Sequence, residues 1–300
     1  MNTIPRSGMT DIFINAKTSI SHSADSPQII VRETACKTIL NRSSISDYSL
    51  NCYTGCTHGC VYCYARFMQR FHPHDEPWGK FVDVKINAVE VLKRQLRRVQ
   101  PGSVFMSSAC DGWQPIEAQY GLTRRCCELL LEYGFQVNLL TKSALVLRDL
   151  DLFSGQKVGI GVSITTLDQG LSKLWEPNAS SVEKRLQIVE AARDARLKTT
   201  IMFAPLLPFL SDSRESLEAL FQRAADLRVD SIWVDALNPR PRVWPSVEQL
   251  LRDNFPDLRD RYSRILFNPK VRAAYISQLR KDITLAAERL SLTDRVAVCF

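Results

Sequence analysis

Short apolar runs alternate with amphipathic segments along most of the chain. The runs are rich in Val, Ile and Leu, which is typical of buried strands, and they lie at 103–109, 136–140, 158–165, 199–204 and 231–236. Between them, apolar residues recur three and four positions apart, which predicts helices at 87–99, 122–133, 144–152, 180–196 and 212–227. Such repeated strand–helix units form crossovers that build a parallel sheet.

Polar residues at the predicted helix starts support this assignment. Asn87 with Glu90, and Ser180 with Glu183, have the spacing of a capping box. Asp212 or Ser213 is expected to begin the helix that runs to residue 227.

The two ends of the chain have a different pattern. Residues 1–35 are polar and lack a sustained period, so we expect a loosely ordered N-terminal arm. After residue 240 the pattern is helical, most clearly over 271–290. With the segment before Cys56, there are six or seven strand–helix units. We therefore predict an α/β fold, a partial TIM-type (β/α)6 parallel barrel over 36–240, with a C-terminal helical extension over 241–300 packed on it.

Composition narrows the class of protein. The chain has 300 residues, of which 45% are hydrophobic and 24% charged, as in an ordinary globular protein. No apolar stretch approaches the ~20 residues that span a bilayer, and no apolar run near the N-terminus resembles a signal peptide. We expect a cytoplasmic protein without a membrane partner.

The net charge of +7 comes largely from one region, since residues 240–281 hold ten basic and four acidic residues. A solvated helical face explains this excess, and so does a surface for nucleic acid or phosphate. Both explanations remain open on sequence alone.

The cysteines are clustered. Four of the nine lie between Cys52 and Cys63, and disulfides are rare in a reducing compartment, so a metal site is the better explanation. Cys56, Cys60 and Cys63 form a Cys-x3-Cys-x2-Cys sequence. Three thiolates on one loop can hold three irons of a cubane cluster and leave the fourth iron open to a substrate or cofactor.

A zinc site is the alternative, with His58 or Cys52 as the fourth ligand. The chain has no second Cys-x2-Cys or His-x3-His pair to complete a closed tetrahedron. Cys52 falls outside the three-cysteine spacing, and we interpret it as a bystander.

The three-cysteine sequence, with Tyr62 directly before its last cysteine, resembles the radical S-adenosylmethionine (SAM) signature. Residues 47–66 also resemble the spore photoproduct lyase-like subfamily, often described as DNA repair photolyase-like. The resemblance recurs in order at 111–117, 141–143, 148–149, 162–168, 176–177, 183–186 and 204–208.

This resemblance implies a 4Fe–4S cluster on Cys56, Cys60 and Cys63, and SAM as the second cofactor. It implies that an electron from a flavodoxin or ferredoxin drives reductive cleavage of SAM to a 5′-deoxyadenosyl radical, which abstracts a hydrogen atom from the substrate.

The resemblance also implies residues for SAM. Asp111 would meet its amino or ribose groups, Lys142 its carboxylate, and Ser163 its ribose or amino acid part. Arg185 would form a fork to the carboxylate, while Ala204 and Tyr62 would offer backbone groups to adenine. A cap, a turn or a surface ion pair is the alternative role of each polar residue.

Cys110 stands where the subfamily often has a small hydroxyl residue. Its thiol is a candidate hydrogen donor to a substrate radical, and a small buried residue is the alternative. Cys126 and Cys127 are adjacent on a predicted helix, so at most one is expected to face the core.

Three functions remain. The first is a radical enzyme acting on a nucleic-acid base or lesion, with Trp233, Trp244 and Tyr262 available to stack on bases. The second is a radical enzyme acting on a small metabolite or peptide. The third is a zinc-stabilised nucleic-acid-binding module without catalysis.

Overall fold

An open, mostly parallel sheet lies at the centre of the protein, in a computed structural model that describes residues 29–300 except Pro239 and Pro241. The strands are β1 (Ile30–Thr34), β2 (Leu40–Arg42), β3 (Tyr48–Leu50), β4 (Tyr53–Thr54), β5 (Phe81–Lys85), β6 (Ser103–Met106), β7 (Gln136–Thr141), β8 (Val158–Ile164), β9 (Lys198–Leu206), β10 (Ser231–Ala236) and β11 (Val296–Val298).

Helices follow most of these strands. They are α1 (Ala88–Leu96), α2 (Glu117–Tyr120), α3 (Leu122–Glu132), α4 (Leu150–Phe153), α5 (Gln169–Trp175), α6 (Val182–Asp194), α7 (Arg214–Asp226), α8 (Trp244–Asn254), α9 (Pro256–Phe267) and α10 (Pro269–Arg289). Short 3₁₀ helices lie at Tyr64–Arg70, Ala144–Asp149 and Thr293–Arg295. The segment predicted as one helix at 144–152 is therefore a 3₁₀ turn that leads into α4.

The large sheet has the strand order β11-β10-β9-β8-β7-β6-β3-β2. Only the pairing of β2 with β3 is antiparallel. The strands from β3 through β6 to β10 are parallel neighbours, and the register sets Leu50 beside Met106 and Thr141 beside Val162. Among the described residues β2 and β11 do not pair, so the barrel stays open. The predicted partial α/β barrel is confirmed.

The apolar runs form the predicted strands with small shifts at their ends. β6 is shorter than the predicted run of 103–109, because Ser107 has a φ of 64° and left-handed backbone cannot continue a strand. The residues after Met106 therefore form a loop at the carboxyl edge of the sheet, where Cys110 and Asp111 lie.

The helix starts partly correct the sequence analysis. Ser213 caps α7 through the backbone N–H of Ser216, as predicted. Asn87 does not cap α1, because its side-chain amide accepts from the Cys36 N–H and donates to the Cys36 carbonyl oxygen. Ser181 caps α6 in place of Ser180, whose hydroxyl accepts from Ala144 N–H.

The N-terminal arm also differs from its prediction. Residues 1–28 lie outside the described residues, but Ile30–Thr34 forms strand β1, parallel to β5. β5 also pairs with β4, giving a small three-stranded sheet beside the cysteine loop.

The C-terminal segment is helical, as expected, but it ends in a strand. Leu279 and Ile283 of α10 join the core that the main sheet builds, while Val247, Leu251 and Tyr262 of α8 and α9 form a second core with Trp175. β11 then extends the sheet beside β10, where the pattern indicated only helix. None of the described helices has the length and apolarity to cross a membrane.

Candidate active site

A cavity of about 440 Å³ opens at the carboxyl edge of the parallel sheet. All predicted site residues except Arg185 line it: Cys56, Cys60, Tyr62, Cys63, Cys110, Asp111, Lys142, Ser163 and Ala204. Because carboxyl ends of parallel strands meet at one edge, residues more than a hundred positions apart in sequence share this space.

The cysteine loop forms one wall of the cavity. It follows β4 and turns at Gly55, whose φ is 84°, and a Cβ there would lie 2.6 Å from the carbonyl oxygen of Phe81. Cys56 and Cys60 are each 7% exposed. Burial raises the pKa of the Cys60 thiol to about 12, and Glu176 and Cys63 add to the rise while Lys142 opposes it. Burial also raises the pKa of Cys56 and Cys63.

Asp111 is buried and already bonded on both carboxylate oxygens. Oδ1 accepts from the Thr141 hydroxyl at 2.8 Å and from Trp113 N–H at 2.9 Å. Oδ2 accepts from Lys142 N–H at 2.8 Å and lies 3.4 Å from Nδ1 of His58. The carboxylate therefore ties the loop after β6 to the end of β7 and to the cysteine loop.

Lys142 follows the last residue of β7. Its ammonium group lies 5.8 Å from the ring centre of Tyr62 and makes no hydrogen bond or ion pair within the described part of the chain. Its charge lowers the pKa of the Cys60 thiol against the rise that burial causes. Lys142 is thus a cation at the cavity wall that is available to a ligand anion.

Arg185 lies beneath the cavity instead of lining it. Its guanidinium pairs with Glu176 at 2.5 Å and donates to the carbonyl oxygen of Ser163 at 2.9 Å. Glu176 also accepts from the hydroxyls of Tyr62 and Thr165. Burial opposes ionisation of Glu176, but Arg185 and Lys142 keep the pKa of this carboxyl below its usual range.

Ser163 and Ala204 lie on adjacent strands of the cavity wall. Ser163 belongs to β8 and Ala204 to β9, and the carbonyl oxygen of Ala204 accepts from the Thr165 hydroxyl at 3.2 Å. Tyr62 stacks on Trp175 with ring centres 6.4 Å apart. The hydroxyl of Tyr62 and its ring are thus engaged with the protein.

Four of the other cysteines fall into two groups. Cys110 lines the cavity, and burial raises the pKa of its thiol to about 12. Cys52 is buried outside the cavity, with its sulfur 3.7 Å from that of Cys126. Cys126 and Cys127 are both fully buried, so the expectation that only one would face the core is wrong.

The sequence analysis did not identify several residues that line the cavity. His58 was considered only as a zinc ligand, although its place between two cysteines signals proximity. Tyr64, Asp235 and Cys299 also line the cavity. Cys299 arrives from the far end of the chain, because β11 pairs with β10.

The basic C-terminal region is only partly available to a ligand. Arg252 and Arg259 both pair with Glu248. Burial raises the pKa of Asp235, and the positive charges of Arg272 and Arg240 oppose that rise. Of the three predicted stacking aromatics, Trp233 lines the cavity, whereas Tyr262 is fully buried.

Comparison with known proteins identifies the family. Residues 50–221 match the model of the radical SAM superfamily, which is more than half of the chain. A protein of Mycobacterium tuberculosis is 30% identical over 286 residues, covering 90% of this chain and 84% of its own. The chain belongs to the radical SAM superfamily.

Two further likenesses agree with this. A protein of Methanocaldococcus jannaschii is 35% identical over 166 residues, so the match covers 55% of this chain and 62% of that protein. A spore photoproduct lyase variant with bound AdoMet and dinucleoside spore photoproduct has a TM-score of 0.68 at 15% identity, covering 89% of this chain and 81% of that one. This second likeness concerns the fold.

Enzymes of the radical SAM superfamily use a 4Fe–4S cluster and SAM. The donor set of this site fits both groups, because three thiols and an unpaired ammonium face one cavity. Within residues 29–300, the two prolines excepted, no three His, Cys, Asp or Glu side chains are arranged to hold a single metal ion. A cubane differs from a zinc site in that each thiolate binds a different iron. Membership of the superfamily thus favours a radical SAM enzyme over a zinc-stabilised binding module.

Proposed function

We propose that Cys56, Cys60 and Cys63 bind the 4Fe–4S cluster of this radical SAM enzyme, and that SAM occupies the adjoining cavity. The observation that carries the proposal is the convergence of these three thiols and Lys142 on one cavity at the carboxyl edge of the sheet. When bound, these cofactors supply a 5′-deoxyadenosyl radical that abstracts a hydrogen atom from the substrate.

Some side chains bind SAM, and others hold the binding residues in position. Lys142 pairs with the SAM carboxylate, since its ammonium has no partner among the described residues. Asp111 holds the backbone of Lys142 through a hydrogen bond and lies against the His58 ring. The Glu176–Arg185 pair holds Tyr62 in place, so that the backbone of Tyr62 and Ala204 can face adenine and the Ser163 hydroxyl the ribose.

The proposed substrate is a nucleic-acid base or lesion. Trp233 and Phe105 stack with ring centres 6.5 Å apart at the cavity wall, and half-exposed Tyr64 lies at its rim. Aromatic rings of this kind stack on bases, and Arg240 nearby supplies a positive charge. A small metabolite or peptide is the second candidate, because about 440 Å³ lies within the range of small-molecule sites.

Cys110 is the proposed hydrogen donor to the substrate radical. Its thiol lines the cavity, and burial keeps it protonated because its pKa is about 12. A protonated thiol retains the hydrogen atom that such a step requires.

A flavodoxin- or ferredoxin-type protein is the proposed electron donor. We also propose a cytoplasmic location, which the nine free cysteines favour because thiols persist in a reducing compartment.

Anaerobic reconstitution tests the proposal. Protein loaded with iron and sulfide is reduced with dithionite in the presence of SAM, and 5′-deoxyadenosine is measured by mass spectrometry. We expect product from the wild type and from Cys52→Ala, a buried thiol outside the cavity, and none from Cys60→Ala. Loss of product in Cys52→Ala together with formation in Cys60→Ala would reverse the assignment of the ligands.

A further inference from the structure

The indole N–H of Trp78 is a buried polar group whose burial the fold does not explain. Its side chain is 7% exposed, and its indole N–H is fully buried without a hydrogen-bond partner in the part of the chain that the structure describes. A buried donor without an acceptor costs free energy, so such a group calls for an explanation.

The indole lies against the cysteine loop. Trp78 packs in one cluster with Cys56, Ala65, Phe81 and Cys63. Cys56 belongs to this cluster and Cys63 packs against it, so two of the three predicted iron ligands lie there. The unpartnered indole N–H is therefore buried in the same cluster as predicted iron ligands.

The segment that carries Trp78 is held tightly in place. Gly79 has a φ of 95°, and a Cβ there would lie 2.8 Å from the Cα of Gly59, which belongs to the cysteine loop. The Trp78 ring meets Phe81 edge-on with ring centres 5.9 Å apart, and His74 stacks on Phe81 with ring centres 3.7 Å apart. This packing fixes the indole beside the cysteine loop.

We propose that Trp78 donates an N–H···S hydrogen bond to the Cys63 thiolate and thereby raises the reduction potential of the bound cluster. A donor to a ligand sulfur favours the more negative, reduced cluster over the oxidised one, and hydrogen bonds to sulfur are among the factors that set cluster potentials. Trp78 is thus a positioning and tuning residue that acts through Cys63. The inference rests on the proposed cluster ligands.

The test is an EPR-monitored redox titration of reconstituted Trp78→Phe, which keeps the ring and removes the N–H. We expect a shift to lower potential, with the ratio of reduced to oxidised cluster at a fixed potential falling several-fold. A tenfold fall corresponds to a shift of 59 mV for one electron. Trp175→Phe is the matched control, because Trp175 is also fully buried with an unpartnered indole N–H but stacks on Tyr62. Its potential should stay at the wild-type value.

A spectroscopic measurement gives a second readout. In deuterium oxide, pulsed EPR of the reduced wild type should show an exchangeable deuteron coupled to the cluster, and Trp78→Phe should lack it. Should Trp78→Phe fail to bind iron, benzothienylalanine at position 78 replaces the N–H by sulfur at nearly the same shape. An unchanged potential and an unchanged deuteron signal in an iron-loaded variant overturn the inference. A wild type that binds no 4Fe–4S cluster overturns the proposed function instead.

Discussion

At the scale of single residues, Asp111 and Lys142 lie at the same edge of the sheet but differ in whether their charged groups are already bonded. Both oxygens of Asp111 are occupied by Thr141, Trp113 and Lys142 donors of the protein itself. The ammonium of Lys142 has no such partner among the described residues. A ligand that enters the cavity therefore meets a free cation at Lys142 and an already bonded carboxylate at Asp111.

Replacing Lys142 with Gln tests whether its ammonium group binds SAM. We expect SAM affinity to fall about 10- to 150-fold, because a hydrogen bond to a charged group contributes about 1.5–3 kcal/mol. Equilibrium dialysis under anaerobic conditions measures the affinity, and iron content should be unchanged. Lys157→Gln, distant from the cavity, serves as the control. Equal affinities of wild type and Lys142→Gln would exclude the proposed pairing.

Glu176→Gln probes the buried ion pair. Removing one partner leaves Arg185 as an uncompensated buried charge, so we expect a loss of about 3–5 kcal/mol in the free energy of unfolding at pH 7. The pKa of Glu176 is lowered on folding, so the wild type keeps this contribution above the ordinary pKa of 4.5 and loses it as pH falls through the folded value.

Urea unfolding between pH 7 and pH 3 measures both effects. The difference between wild type and Glu176→Gln should shrink at the acid end. Exposed Glu183→Gln is the control, and we expect its effect to remain within about 0.5 kcal/mol. A difference that stays constant with pH would show that folding does not lower the pKa of Glu176.

At the scale of elements, the site depends on the fit between the cysteine loop and the segment that leads into β5. A Cβ on Gly55 would lie 2.6 Å from the carbonyl oxygen of Phe81, and a Cβ on Gly79 would lie 2.8 Å from the Cα of Gly59. Since neither contact has room for a side chain, the small three-stranded sheet sets the position of the thiols.

Gly79→Ala tests this fit. The added Cβ would meet the Cα of Gly59 at 2.8 Å, so we expect reconstituted iron per chain to fall by more than half. Gly134→Ala is the matched control, because Gly134 has a φ of 78° and nothing lies within 4 Å of its Cβ position. It should lose about 1 kcal/mol of stability from backbone strain and bind iron normally. Equal iron content in the two variants would contradict the role of this contact.

At the scale of the whole molecule, the C-terminal segment places charge around the open barrel. Glu248 pairs with both Arg252 and Arg259, so these two guanidinium groups are partly engaged within the protein. Arg240 approaches Asp235 beside the cavity. Arg240 is therefore the basic residue at which we test the proposed contact with a nucleic acid.

Oligonucleotide binding tests the proposed substrate class. We expect the affinity for a single-stranded oligonucleotide to fall with salt, and Arg240→Gln to flatten the slope of log K against log salt by about 0.7, the value for one phosphate contact. Arg252→Gln should leave the slope unchanged. Fluorescence anisotropy over a salt series gives these slopes. Affinity that is absent or independent of salt would favour a small metabolite or peptide.

The sequence alone determined the order of the five central strands, β6 to β10, and the three-cysteine spacing. Apolar periodicity and short-range spacing are local properties, so the strand at 136–140 and the Cys56–Cys63 loop were predictable. The capping serines were less so, because Ser180 and Ser181 are adjacent and only their surroundings choose between them.

Tertiary structure decided which charged groups remain available. Arg185 was expected to meet a ligand, but it pairs with Glu176 below the cavity, and Asp111 bonds to residues 30 positions away. Trp78 had no motif to mark it and gained its significance from contact with the cysteine loop. Hydrogen-bond partners and desolvation depend on which distant segments pack together, and spacing along the chain carries no record of that choice.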